Sequence, residues 1–186
     1  MTKGFPAAII YQYGMRVSTM ILELKKYFSG QHDTFRFALD LTGLELGGVK
    51  PFCAPVQAAA EIGGVAGAVQ LKLSVEYTVS MPCDRCGRQT DKTYRRVFEH
   101  LLVRQLSDEQ EAANREEEYV VVPDERLDLD ELLREDILLD LPTKFLCRDD
   151  CKGLCPKCGK DLNEGDCDCD RREIDPRLEI LKSLLN

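Results

Sequence analysis

The chain has 186 residues, of which 44% are apolar and 31% are charged. These fractions are typical of a soluble folded protein and argue against general disorder. A net charge of −8 excludes a generally basic nucleic-acid coat but leaves room for a local basic patch. No apolar run approaches the roughly 20 residues that a membrane-spanning helix needs, so we expect no membrane partner.

Residues 1–19 look detached from the rest of the chain, since they contain two bases, Lys3 and Arg16, and no acid. Two interpretations stay open: a frayed terminus, or an extension that precedes a true start at Met20. The apolar stretch Phe5–Tyr13 is short and holds a proline and two tyrosines. We therefore expect no signal peptide, a cytoplasmic location and reduced thiols.

Residues 20–142 are predicted to form a sheet-rich core, because apolar and polar residues alternate along several segments. Alternation with a period of two indicates antiparallel strands with one buried face. Glycines punctuate the stretch between the first two segments. We expect an α+β fold, with an antiparallel sheet or partly open barrel and a few helices. The strand candidates are Phe35–Leu41, Leu71–Val79, Tyr94–Val103 and Tyr119–Val122.

The period changes over Leu127–Leu141, where leucines and an isoleucine recur at the spacing of an amphipathic helix. Asp128 with Glu131 predicts a cap at its start, and Pro142 predicts its end. The acidic segment 107–118 before it is expected to be a solvated loop or an exposed helix. Residues 143–186 are predicted to be a Cys-rich segment stapled by zinc, followed by a terminal helix that begins at Asp175 and Pro176.

Nine cysteines are many for a cytosolic chain, and six of them lie within the 23 residues from Cys147 to Cys169. Two segments, Pro82–Gly87 and Leu154–Gly159, have the shape of a zinc knuckle. Two thiolates separated by two residues can ligate one tetrahedral metal, and a glycine after the second permits a tight turn. We therefore expect structural zinc as the cofactor. The candidate ligands are Cys83, Cys86, Cys147, Cys151, Cys155, Cys158, Cys167 and Cys169.

Eight cysteines are enough for two Cys₄ sites, and two partitions stay open. In the preferred one, Cys155, Cys158, Cys167 and Cys169 form a local site. Cys83 and Cys86 then join Cys147 and Cys151, which would clamp the C-terminal segment onto the sheet. In the alternative, the first knuckle meets the second knuckle directly.

Other interpretations of the thiols carry less support. Plain buried thiols do not suit a polar segment rich in Gly and Asp, and a thioredoxin-like centre normally begins a helix after a strand. A zinc-based redox sensor or chaperone is the main alternative, since the chain contains both CxxC and CxC spacings. A catalytic zinc typically has His or Glu ligands and an open position, but neither His32 nor His100 lies in a Cys cluster. We expect no enzymatic activity and no small-molecule substrate.

Charge is distributed unevenly along the chain. Residues 81–104 hold six bases against three acids, a local charge of +3, and residues 105–140 hold three bases against fourteen acids, a local charge of −11. A basic patch with an interleaved aromatic such as Tyr94 can bind a phosphate backbone and stack a base. The alternative is a solvated strand face paired with the acidic stretch. The candidate RNA contacts are Arg85, Arg88, Arg95 and Arg96.

The C-terminal half contains the string Cys151–Gly159 (CKGLCPKCG). Leu141–Pro142 and Cys147 come before it, and Asp161–Asn163, Cys167–Cys169 and Ile174–Arg177 come after it. This order resembles the bacterial YceD family, whose first CxxC matches Cys83–Cys86, and we expect the resemblance to run from about Met20 to the end. It implies a role in the accumulation of large-subunit (23S) ribosomal RNA. The implied partners are ribosomal RNA or a large-subunit ribosomal protein. It also implies that the first knuckle lies nearer the shared function, since some members keep only that one.

Overall fold

A computed structural model describes residues 19–106 and 119–169. None of its helices in these ranges is both long enough and apolar enough to cross a membrane. The elements in chain order are β1 Ile21–Glu23, α1 Lys25–Phe28, β2 His32–Leu39, β3 Val56–Val65, β4 Ala68–Pro82, β5 Gln89–Val103, β6 Tyr119–Val121, β7 Arg126–Asp128 and α2 Leu129–Asp140.

The main sheet has five strands in the order β2-β3-β4-β5-β6. All neighbouring pairs are antiparallel except β5 and β6, which run parallel, with Leu101 opposite Tyr119. A separate two-stranded sheet pairs β1 with β7. The expected α+β class, an antiparallel sheet with few helices and a Cys-rich end, is confirmed.

One face of the main sheet is buried and the other is exposed, as the alternating sequence predicted. On β4, every second residue from Val69 to Val79 is buried and belongs to the core. Helix α2 covers this face with Leu129, Leu133 and Ile137, all fully buried. Burying one side chain of this size contributes about 1.5–3 kcal/mol, so apolar packing holds this region together.

Helix α2 begins as the sequence predicted. The Asp128 carboxylate accepts a hydrogen bond from the Glu131 amide at 2.9 Å, which satisfies one of the free N–H groups of the first turn. The helix ends at Asp140, directly before Leu141 and Pro142.

The sequence analysis missed β3, because its alanines and Gly63 and Gly64 are poor strand formers in isolation. Gly63 fits here because the His32 ring lies over it, and a Cβ atom would come within 1.8 Å of the His32 Nδ1 atom. Three expectations lie outside the described residues: the extension before residue 19, the acidic segment 107–118, and the terminal helix from Asp175. The domain boundaries after residues 19 and 142 stay predictions.

Candidate metal centres and the charged residues around them

The first CxxC lies at the tip of the hairpin that joins β4 to β5. The Gly87 amide donates to the Cys83 carbonyl at 2.8 Å, and the Cys83 amide donates to the Arg88 carbonyl at 2.9 Å. Gly87 has a φ of 69°, a conformation that side chains other than glycine rarely adopt. The hairpin therefore turns tightly enough for both thiols to face the same side.

The second CxxC repeats this hydrogen-bond pattern outside any strand. The Gly159 amide donates to the Cys155 carbonyl at 2.9 Å, and the Cys155 amide donates to the Lys160 carbonyl at 2.8 Å. The two knuckles therefore have the same backbone turn, although a sheet supports only the first.

The first cluster consists of Cys83, Cys86, Cys147 and Cys151, whose sulfurs all lie within 4.8 Å of one another. The Sγ atoms of Cys83 and Cys151 are 3.8 Å apart, and those of Cys86 and Cys147 are 3.7 Å apart. Four sulfurs at about 2.3 Å from a tetrahedral zinc would be separated by about 3.8 Å. The thiols of the first cluster therefore fit a tetrahedral metal ion.

The second cluster consists of Cys155, Cys158, Cys167 and Cys169, again with all sulfurs within 4.8 Å. It is less enclosed, since Cys158 is exposed while three thiols of the first cluster are buried. The structure thus groups the eight cysteines as in the preferred partition, and the two knuckles do not share a cluster. All nine cysteines are free thiols, and Cys53 is exposed and belongs to neither group.

Hydrogen bonds favour thiolate at Cys83 and Cys151 in the first cluster and at Cys155 in the second, since each of these three pKa values is lowered. A backbone hydrogen bond from Cys147 holds the pKa of Cys83 at about 6, and backbone hydrogen bonds from Cys158 and Lys157 hold the pKa of Cys155 at about 6. Burial raises the pKa of Cys147 to about 12, and a hydrogen bond with Cys158 raises that of Cys169 to about 12. Each cluster thus combines a ready thiolate with a thiol that stays protonated beside neighbouring sulfurs. A cation would favour ionisation of all four.

One backbone–backbone and one backbone–carboxylate hydrogen bond connect the C-terminal segment to the first knuckle. The Asp84 amide donates to the Phe145 carbonyl at 2.8 Å, and the Phe145 amide donates to the Asp84 carboxylate at 2.7 Å. Phe145 follows α2 closely and packs against the core. The end of the helix therefore delivers Cys147 and Cys151 to the hairpin that carries Cys83 and Cys86.

Each of the four arginines predicted as RNA contacts has a polar partner within the chain. Arg85 lies inside the first knuckle and donates to the Cys151 carbonyl at 2.6 Å. Arg88 follows the knuckle and pairs with Asp161 at 3.2 Å.

Arg95 and Arg96 are neighbours on β5, and their side chains lie on opposite faces of the sheet. Arg95 is on the exposed face, paired with Glu76 at 2.7 Å. Arg96 is on the covered face, where it pairs with Asp140 of α2 at 2.7 Å and lies over the Tyr94 ring. Arg95 is therefore available to a large partner, whereas Arg96 connects the strand to the helix.

The acidic stretch supplies two further contacts to β5. His100 pairs with Asp136 of α2 at 2.8 Å, and Arg104 pairs with Glu125 at 2.5 Å. Together with Arg96–Asp140, these contacts pair the second half of β5 and the residue after it with acids from residues 105–140, the arrangement that the sequence left open.

Sequence reasoning missed Asn163, whose side chain donates to the Cys151 sulfur at 3.4 Å and accepts from the Lys152 amide at 2.8 Å. The sequence signal was its place in Asp161–Asn163, which belongs to the family resemblance and lies between Cys158 and Cys167, but no role was assigned to it. Sequence reasoning also missed the role of Asp84, whose carboxylate accepts a hydrogen bond from the Phe145 amide and so connects the first knuckle to the C-terminal segment.

Comparison with known proteins gives one family match. A family model described as large ribosomal RNA subunit accumulation protein YceD matches residues 71–185, which is more than half of the chain. The matched span is narrower than the expected one from Met20, but it includes both knuckles and both clusters. No solved structure matches the chain.

Relatives come from plants and bacteria. An Arabidopsis thaliana protein named large ribosomal RNA subunit accumulation protein YCED homolog 1, chloroplastic, is 26% identical over 146 residues, covering 65% of this chain and 46% of that protein. The Bacillus subtilis protein YlbN is 26% identical over 119 residues, covering 61% of this chain and 67% of that protein. A Mycobacterium bovis protein, Mb2951c, is 39% identical over 70 residues, covering 38% of this chain and 33% of that protein. The chain therefore spans less than half of the plant relative.

Proposed function

Since the chain belongs to the YceD family of large ribosomal RNA subunit accumulation proteins, we propose that it is a non-enzymatic factor for large-subunit (23S) ribosomal RNA. Its role is to support the accumulation, processing or assembly of that RNA. The observation that carries this proposal is the family match over residues 71–185. The name of the chloroplastic relative points the same way.

Zinc is the proposed cofactor of both clusters, in a structural role. Four thiolates in a tetrahedral arrangement suit zinc or iron–sulfur chemistry, and a closed Cys₄ set is typical of structural zinc. The sulfur separations of 3.8 and 3.7 Å in the first cluster support this assignment. The proposed location is the cytoplasm, where thiols stay reduced.

Direct contact with ribosomal RNA is the proposed mode of action, with Arg85, Arg88, Arg95 and Arg96 as the contact residues. Arg85 lies within the first knuckle, Arg88 follows it directly, and Arg95 has a side chain that is 78% exposed. Guanidinium groups in these positions can neutralise phosphates and release counterions. Arg96 already pairs with Asp140, so its share in RNA binding requires that this contact opens.

Crosslinking of the tagged protein to RNA in living cells, followed by sequencing, tests the proposal. We expect enrichment of one region of large-subunit ribosomal RNA or its precursor. No enrichment of RNA would contradict direct contact and move the contact to a protein partner. Unchanged levels of large-subunit RNA in cells lacking the chain would contradict the proposed role itself.

A clean variant for the contact surface is Arg88→Gln with Arg95→Gln, because their guanidinium groups pair with Asp161 and Glu76 rather than with a cysteine or α2. Each lost phosphate contact should lower the slope of log affinity against log salt by about 0.7–0.9. The matched control is Arg36→Gln with Arg126→Gln, which removes the same charge from exposed arginines elsewhere. Equal affinity and equal slope in both double variants would remove Arg88 and Arg95 from the interface.

Mild peroxide distinguishes structural zinc from the redox-sensing alternative. Structural sites should keep their metal and their far-ultraviolet spectrum under conditions that oxidise an exposed thiol such as Cys53. Metal release that a thiol reductant reverses, together with a large change in shape, would favour the redox sensor.

A further inference from the structure

The two clusters lie next to each other in the chain as well as in the fold. Cys151 is the last cysteine of the first cluster and Cys155 is the first of the second, so only three residues separate them. A contact that fixes the backbone at one cluster therefore also lies close to the other cluster.

Arg85 connects this short link to the first knuckle. Its guanidinium donates to the Cys151 carbonyl at 2.6 Å, and its own carbonyl accepts from the Leu154 amide at 3.1 Å. Gly153, with a φ of 76°, is packed so closely that an added Cβ atom would lie 2.9 Å from the Arg85 carbonyl oxygen. The backbone that carries Cys155 is thus held against the loop between Cys83 and Cys86.

Asn163 makes the reciprocal connection from the second cluster. It lies between Cys158 and Cys167, and its side chain reaches back to the Cys151 sulfur at 3.4 Å and to the Lys152 amide at 2.8 Å. In the same loop, the Leu162 amide donates to the Gly153 carbonyl at 2.9 Å. The loop that closes the second cluster therefore rests on a ligand of the first.

We propose that the two clusters bind metal cooperatively, with Arg85 and Asn163 as the positioning residues that couple them. This rests on the proposed occupancy of both clusters by metal. An ion in the first cluster fixes Cys151 against Cys83 and thereby orders the link up to Cys155. The second cluster then binds its ion without bearing the conformational entropy of ordering that link.

Linkage makes the coupling reciprocal, because each ion must change the affinity for the other by the same factor. Couplings of this kind typically amount to about 5–150-fold. An ion in the second cluster should therefore raise the metal affinity of the first cluster by the same factor as the reverse. This holds although the ligands of the first cluster are much further apart in the sequence.

Zinc titration of the full chain against a chromophoric chelator, with cobalt absorption as a second readout, tests the proposal. Cys83→Ser with Cys86→Ser leaves only the second cluster, and Cys155→Ser with Cys158→Ser leaves only the first. We expect each remaining cluster to bind zinc at least 5-fold more weakly than in the doubly loaded chain, by the same factor within error. Affinities within twofold of those in the intact chain would overturn the coupling.

Two further variants keep all eight cysteines, so they answer the question even if a serine variant misfolds. Arg85→Gln and Asn163→Ala should each still bind two ions but reduce the coupling, so that the two binding steps become less cooperative. Arg95→Gln is the matched control, since Arg95 contacts Glu76 and no cysteine, and it should leave the coupling unchanged. Full coupling in both Arg85→Gln and Asn163→Ala would exclude them as the coupling residues.

The metal assignment and the coupling can fail separately. Fewer than two ions bound by the intact chain would refute two metal sites, and the coupling with them. Two ions bound independently would refute only the coupling. Neither result bears on the RNA crosslinking experiment.

Discussion

Residues 20–142 and residues 143–169 are held together by different forces. The first region buries a continuous apolar core between the inner face of the sheet and α2. In the second region, as far as the structure describes it, the buried residues are two cysteines, Gly153 and Leu162. A segment with so little apolar burial cannot offset the entropy of its own ordering, so the proposed zinc sites would have to stabilise its shape.

The junction between the regions shows how the two forces are combined. The first cluster takes Cys83 and Cys86 from a hairpin that apolar packing already holds, and Cys147 and Cys151 from the segment with little apolar burial. The sheet thus already fixes two of the four ligands of the proposed metal site, so no further conformational entropy is lost in placing them. Any experiment that weakens one force alone should reveal which region depends on it.

Removal of metal should have the largest effect. Structural zinc contributes on the order of 10 kcal/mol per site at neutral pH, so a strong chelator should disorder residues 143–169. The sheet should remain, because its core contains no metal ligand. Limited proteolysis with mass spectrometry should show new cleavage within 143–169 and protection of β3 and β4. Cleavage throughout the sheet on chelation would show that the regions are not separable.

Truncation of the core should have the converse effect. Leu133→Ala removes a fully buried side chain of α2 and should lower the free energy of unfolding by about 2–5 kcal/mol. Leu139→Ala on the same helix is the control, since Leu139 is 85% exposed and should change stability by less than about 0.5 kcal/mol. Thermal unfolding of the zinc-loaded proteins measures both. Equal melting temperatures for the two variants would contradict the apolar account of the first region.

Loss of the α2 cap should have a smaller effect. Asp128→Ala removes the acceptor for the Glu131 amide and should cost about 1 kcal/mol. Asp128→Asn keeps an acceptor and should restore most of that loss. Because α2 delivers Cys147 to the hairpin, zinc affinity measured alongside stability will show whether a frayed helix start reaches the first cluster. Equal stability of the alanine and asparagine variants would mean that the cap does not hold the helix.

Much of the first region was predictable from local pattern. Alternation in β4 and β5 gave the buried face, and the spacing of leucines gave α2 with its Asp128 cap. Strand β3 was missed because its burial comes from neighbours on both sides rather than from its own alanines and glycines. Local propensity is weak evidence where tertiary pairing decides.

The parts of the candidate site that depend on the spacing of cysteines in the sequence were predictable. The parts that depend on contacts between residues distant in the sequence were not. CxxC and CxC spacings were enough to predict two Cys₄ groups. Asn163 lies in a stretch shared with the family, but its role depends on where Cys151 lies, which the spacing does not show. The separation of Arg95 from Arg96 was available in principle, since neighbouring strand residues point to opposite faces. The count of charges per segment did not consider on which face of the sheet each arginine lies.

Substitution of Arg95 and of Arg96, which lie on opposite faces of β5, should give the smallest changes in the free energy of unfolding. Arg95→Gln removes an exposed pair with Glu76 and should change stability by less than about 0.5 kcal/mol. Arg96→Gln removes a partly covered pair with Asp140, which lies at the C-terminal end of α2, where a negative charge is otherwise unfavourable. We expect a loss of about 0.5–1 kcal/mol, which shrinks as salt screens the pair. Denaturant unfolding at low and high salt measures this difference. If Arg95→Gln were the more costly change, the exposed face rather than the helix contact would stabilise β5, and RNA binding through Arg95 would have to compete with folding.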